Sequence, residues 1–173
     1  KFELSVADLR ELVNLARYTS SARNAQALKY LLLTNNNDCA KIFPFLNWAG
    51  YLTNWPGPIE GERPTAYIVV LKDSSLAENI FCDDGLAIQS MLLGATEKGL
   101  GGCIIGSINK NKIREAFSLD DVYEILYVFA LGKPIEKIVL TDIIDNDCKY
   151  WRDDNQVHYV PKRSLDDLII SKT

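Results

Sequence analysis

Residues 84–98, from Asp84 to Lys98, constrain the fold of this chain more than any other stretch. They predict a helix in which Leu86, Ala87, Ile88, Met91, Leu92, Leu93 and Ala95 spread round most of the circumference. A helix that is apolar on almost every side has to be buried on almost every side. In a chain of 173 residues that predicts a core helix that also serves as a subunit interface. Gly99 follows as the C′ residue that lets the chain leave the helix.

Around this helix, other elements are legible by period. Ser5 with Asp8 marks a helix start, and Leu9, Leu12, Val13 and Ala16 then recur at spacings of three and four. Thr19-Ser20-Ser21 ends that helix. Strands are expected over 28–33, 65–71, 102–105 and 124–131, and shorter helices over 39–46 and 110–117. Asn54–Pro64, with three prolines and two glycines, is a loop. From Lys149 onward polar and aromatic residues mix with little period. Helices and strands alternate with no repeat and no boundary, so one α/β or α+β domain over 1–173 is expected.

Composition removes several function classes. A net charge of −4 argues against nucleic acid as the main partner, although one phosphate needs only a local cluster of cations. No apolar run approaches the ~20 residues of a membrane span, and no signal peptide pattern opens the chain. Cys39, Cys82, Cys103 and Cys148 are scattered, with no CxxC or Cys/His cluster, so no metal site is assigned. They read as reduced, buried thiols of a cytoplasmic protein. The one histidine, His158, is far in sequence from any Ser or Cys in a nucleophile-like context.

Three segments read as ligand contacts. Ser20-Ser21-Ala22-Arg23-Asn24-Ala25-Gln26 places hydroxyls, amides and a cation on one turn, the donors and acceptors that a polar heterocycle or a phosphate requires. The same residues also suit a turn that merely caps two elements. Gly99–Ser107 holds four glycines, which let backbone approach something flat or anionic; it is neither a dinucleotide fingerprint nor a P-loop. Lys162-Arg163 behind Pro161 forms a possible phosphate clamp or a solvated surface pair. Trp55, in the loop 55–63, either borders a substrate entrance or packs structurally.

In this order the segments resemble the nitroreductase family of FMN enzymes. Ser20–Gln26 resembles its Pro-Ser-Ala-x-Asn-x-Gln-Pro turn, with Ser20 and Ala27 in place of the two prolines. Asp84–Ser90 resembles the start of its central helix, and Gly99–Ser107 its Gly-Leu-Gly-x-Cys-x-Ile-Gly strand. Leu131–Pro134 resembles its Ala-Leu-Gly-x-Pro strand end, and Val160-Pro161-Lys162-Arg163 its C-terminal phosphate-binding pair. The similarity runs from Leu4 to Leu168.

The resemblance implies an α+β fold, a mixed but mainly antiparallel sheet flanked by helices, in an interlocked homodimer with FMN at the interface. Ser20, Ser21 and Asn24 would lie beside the flavin, with Gln26 supporting them. The backbone of Ile105, Gly106 and Ser107 would approach its reactive face, and Lys162 and Arg163 would hold its phosphate. Electrons would pass by a ping-pong mechanism from NADH or NADPH to a nitroaromatic, a quinone or a similar electron-poor small molecule. No side chain is needed as a nucleophile, so no catalytic residue is assigned. The family's Arg-x-Ser-x-Arg phosphate segment lies before the point where this chain begins, so either upstream residues supply it or one phosphate anchor is lost. The alternative is a non-catalytic or degenerate flavin-binding protein of the same fold.

Overall fold

The computed structural model describes residues 2–170. These residues form two compact units, one of residues up to Trp48 with Pro58–Pro134, the other of Ala49–Gly57 with residues from Ile135 onward.

The first unit is a four-stranded sheet with helices on both faces. Its strands are β1 (Leu28–Leu33), β2 (Ala66–Asp73), β3 (Gly101–Ile105) and β4 (Tyr123–Gly132). They lie in the order β1-β2-β4-β3, and every neighbouring pair is antiparallel. The sequence of β2, Ala-Tyr-Ile-Val-Val-Leu-Lys-Asp, is apolar almost throughout because both faces are covered. Alternation then divides it. Ala66, Ile68 and Val70 face one core with Phe129 and Leu131 of β4, while Tyr67, Val69 and Leu71 face the other with Val128 and Ala130.

The first core is closed by α1 (Val6–Arg17) and α3 (Asp83–Glu97), the second by α2 (Asn36–Ile42) and α4 (Lys110–Phe117). Ser5 begins α1 through a reciprocal capping box, its hydroxyl accepting from the Asp8 amide while Asp8 accepts from the Ser5 amide. The Ser5 hydroxyl, donating to the Asp8 carboxylate at 2.6 Å, and then the Ser5 amide hold that carboxyl below its ordinary value. Asn35 caps α2, so Asn36 and Asn37 open a helix instead of ending a strand, and the helix stops at Ile42 where a 3-10 turn takes over. The reason is local: the Asn35 side chain accepts from the Asp38 amide, which the asparagine run alone does not reveal.

Within a single chain the central helix is covered on one side only. Ala87, Ile88, Met91, Gly94 and Ala95 are buried against α1 and the sheet, and Gly94 is small because any Cβ there would meet Leu15. Leu86 and Leu93, however, stay 43% and 63% exposed. Gly99, at φ 70°, takes the left-handed conformation expected of a C′ residue.

The second unit carries a three-stranded sheet in the order β5-β7-β6, formed by Ile138–Asp142 (β5), Trp151–Arg152 (β6) and His158–Lys162 (β7). β5 runs parallel to β7, whereas β6 runs antiparallel to it. Mixed pairing is therefore confined to this small sheet. Glu136 braces it, accepting from Arg152 on β6 and lying 2.9 Å from Nδ1 of His158 on β7. Among the described residues no helix is long and apolar enough to cross a membrane.

Candidate functional site

The turn before β1 is held in an unusual backbone conformation. Arg23, Asn24 and Gln26 all have left-handed φ, at 54°, 53° and 50°. None is glycine, and each such residue costs about 1 kcal/mol or more, so the surrounding structure has to enforce them. The enforcing group is Asp83, at the first turn of α3 and only 3% exposed. Its carboxylate accepts from the Ser21 hydroxyl at 2.7 Å and from the Ala22 amide at 2.9 Å. The Ser21 oxygen in turn accepts from the Gln26 amide at 2.9 Å, and the Gln26 side chain donates to the Asn24 carbonyl at 3.3 Å.

This network sorts the turn's residues. Ser21 has donated its one hydroxyl proton to Asp83, so it supports the turn and has no donor left for a ligand. Gln26 likewise supports it. Ser20, Arg23 and Asn24 are exposed, and their side chains have no hydrogen-bond or ionic partner among the described residues. The turn thus presents a hydroxyl, a guanidinium and an amide on a fixed backbone. Sequence reading missed Asp83. Its only local signal was the Asp83-Asp84 doublet, which looks like ordinary compensation of a helix dipole.

The glycine-rich segment separates just as cleanly. Gly99 caps α3; a Cβ on Gly101 would press on Pro134 at 3.1 Å; a Cβ on Gly102 would lie 2.3 Å from the Phe129 ring. Those three glycines are explained by the fold. Gly106 is not: its φ is not left-handed, and a Cβ there would make only ordinary contact with Tyr127 at 3.5 Å. Gly106 and Ser107 are exposed at the end of β3, while the Ile105 side chain is buried, leaving only its backbone for a ligand. Asn47 fixes Ser107, its backbone amide donating to the Ser107 carbonyl at 3.0 Å and its side chain to the hydroxyl at 3.2 Å.

The turn 20–26 enters β1 and Gly106 leaves β3 at the same end of the sheet. They belong to opposite edges, with β2 and β4 between them, and the two edge strands alone are roughly 14 Å apart at ordinary strand spacing. The first unit therefore carries the turn 20–26 and the Gly106 strand end as two separate exposed regions. Beside the first, an open groove between α1 and α3 runs along Leu15, Tyr18, Ser20, Leu86, Ser90 and Leu93.

A sequence model of the Nitroreductase family matches residues 60–133. No curated protein sequence matches the chain. Among solved structures, a protein from Parabacteroides distasonis named as an NADH dehydrogenase/NAD(P)H nitroreductase shares 22% identity, with 79% of each chain covered and a TM-score of 0.64. An FMN-dependent nitroreductase from Clostridium difficile R20291 shares 18%, over 79% of this chain and 80% of that one, with a TM-score of 0.62. A protein from Exiguobacterium sibiricum described as a nitroreductase and solved in complex with FMN shares 19%, over 79% and 81%, with a TM-score of 0.64. The fold is that of the nitroreductases.

Within this nitroreductase fold, the matched segment contains α3 with Asp83, and β3 with Ile105, Gly106 and Ser107; the turn 20–26 precedes it. Lys162 and Arg163 belong to the second unit, at the end of β7. Both are exposed; Arg163 donates once to Asn146 at 3.0 Å, while the Lys162 ammonium has no partner among the described residues. Trp55, in that same unit, lies under the Arg152 guanidinium at 4.3 Å, a structural stacking contact. The cysteines depart from expectation: Cys39 is half-buried, and Cys82, Cys103 and Cys148 are exposed. Cys103 is exposed because β3 is an edge strand that Gly101–Ile104 leave largely open to solvent, a neighbour relation that no local pattern records.

Proposed function

We propose that this protein is an FMN-dependent oxidoreductase that passes electrons from NADH or NADPH to electron-poor small molecules, nitroaromatics and quinones among them, in a ping-pong cycle. The observation that carries the reading is Gly106, a glycine that the fold does not require, exposed at the strand end beside Ser107. A flat ring lying against that backbone accounts for it. The nitroreductase match over 60–133 and the FMN-bound fold relative support the same cofactor.

FMN, when bound, supplies the redox chemistry, and the chain supplies position and electrostatics. Ser20 and Asn24 offer unspent hydrogen-bonding groups to a flavin edge, with Ser21 and Gln26 bracing them. The backbone of Ile105, Gly106 and Ser107 would hold one face of the ring. Lys162 and Arg163 are assigned to the phosphate. The test is spectroscopic. The purified or FMN-reconstituted protein should be yellow and should bleach anaerobically with NADH or NADPH. A protein that takes up no FMN overturns the proposal; a yellow protein that neither cofactor bleaches makes it a flavin binder without this activity.

Gly106→Val is expected to leave the unfolding transition close to that of the wild type. FMN affinity or turnover should fall at least about tenfold, the scale of an overpacked contact. An equally yellow and equally fast variant would reduce this glycine to a turn residue.

We further propose a homodimer that joins the half-sites of two chains. Leu86 and Leu93 of α3, with Leu15 of α1 and Tyr18 just after it, form an exposed apolar surface along the groove that contains Ser20. Full burial of an exposed leucine gains about 1.5–3 kcal/mol, and covering the 43% of Leu86 and 63% of Leu93 that remain exposed gains a corresponding share. Leu93→Glu should therefore shift the species seen in sedimentation from dimer to monomer and release FMN with it. A flavin-loaded wild-type monomer at micromolar concentration would exclude the shared site.

A further inference from the structure

We infer that Asp83 is the positioning residue of the flavin-side turn, and that Ser21 acts through it instead of touching the cofactor; this rests on the FMN reading above. A carboxylate that is 3% exposed has to be compensated where it sits. Asp83 finds that compensation more than sixty residues away in sequence, in the Ser21 hydroxyl and the Ala22 amide. Both donors belong to the segment that carries the left-handed residues Arg23, Asn24 and Gln26. The Ser21 oxygen then receives the Gln26 amide, so one buried carboxylate clamps the turn at its start and, through Ser21, at its end.

What the clamp does is separate two kinds of polar group. The groups it consumes, on Ser21, Ala22 and Gln26, are those that would otherwise satisfy a relaxed turn. The groups it leaves unspent, on Ser20, Arg23 and Asn24, are those on the exposed side. A preorganised turn binds without first having to be ordered, so the clamp raises affinity without contacting the ligand. Because Asp83 opens α3, the helix whose Leu86 and Leu93 line the neighbouring groove, the turn is registered against the helix and not against its own strand.

The experiment uses the 173-residue chain with Asp83→Ala, Ser21→Ala and Ser21→Thr. Without flavin, amide exchange at Ala22 and Gln26 should accelerate at least about tenfold in Asp83→Ala and Ser21→Ala, while the amides of β2 and β4 keep wild-type protection. FMN dissociation constants, read by fluorescence titration, should rise roughly ten- to a hundredfold in both, the loss expected of a hydrogen bond to a charged group. Ser21→Thr, which retains the hydroxyl, should restore both readouts. If Asp83→Ala does not fold, the Ser21 pair decides, because that side chain is only partly buried. Folded variants that bind FMN within twofold of a binding wild type overturn this inference alone. A wild type that binds no FMN overturns the flavin reading and this inference with it.

Discussion

Phe129→Ala is expected to lower stability by about 3–5 kcal/mol, which for a chain of this size is a fall of roughly 6–20 °C in the melting temperature. Phe129 is fully buried at the middle of β4, where its ring faces the core closed by α1 and α3. The ring also extends beneath β3, filling the space that a side chain at Gly102 would need, since a Cβ there would lie 2.3 Å from Cε2 and 2.8 Å from Cζ. The two positions are therefore one packing unit, and their substitutions should be coupled. Gly102→Ala should cost about 1–3 kcal/mol in the wild type, the usual penalty of overpacking. In a Phe129→Leu background it should cost less, because the shorter side chain vacates the ring edge. Denaturant unfolding of the four proteins measures the cycle. A loss below 1 kcal/mol for Phe129→Ala, or strictly additive effects, would show that the ring is not what holds β3 in place.

The second large effect is expected at the phosphate. Lys162→Ala combined with Arg163→Ala should weaken FMN binding by at least ~2 kcal/mol, about thirtyfold, through loss of charge-assisted hydrogen bonds to a group carrying roughly two negative charges. The single variants should be unequal. The Lys162 ammonium has no protein partner among the described residues, whereas Arg163 already spends one donor on Asn146, so Lys162→Ala should cost more. Raising the salt concentration should shrink both losses, since exposed charges are screened. Titration of FMN at two ionic strengths decides the matter. Unchanged affinity in the double variant would remove the phosphate from this pair.

Much of the architecture could be read from neighbouring residues because its causes are local. The strand Leu28–Leu33 and the helix Lys110–Phe117 have the bounds expected from period and composition. Gly99 sits at the left-handed C′ position expected of it, and Ser5 caps α1. The helix and the caps depend on interactions spanning at most four or five residues, and the strand is marked by its own short apolar run although its partner β2 lies about forty residues on. β5, Ile138–Asp142, was not legible, because an isolated five-residue segment becomes a strand only through its parallel partner Val160 and its neighbours twenty residues on. The exposure of Cys103 escaped for the same reason, since an edge strand and a central strand can share one sequence pattern.

The candidate site divides along the same line. By itself the sequence determined which residue types stand on the turn 20–26, that four glycines crowd around β3, and that Asp84–Lys98 is apolar nearly all round. Tertiary structure alone decided what each of them does. It spent the Ser21 hydroxyl on Asp83, sixty-two positions away, and left Ser20, Arg23 and Asn24 exposed. It accounted for Gly102 by the Phe129 ring and left Gly106 without a structural cause. It buried Ala87, Ile88 and Met91 while leaving Leu86 and Leu93 on the surface. The physical reason is range: backbone propensity and side-chain period are properties of a few adjacent residues, whereas a buried carboxylate's partner, a glycine's neighbour and the uncovered face of a helix are set by segments that only the fold brings together.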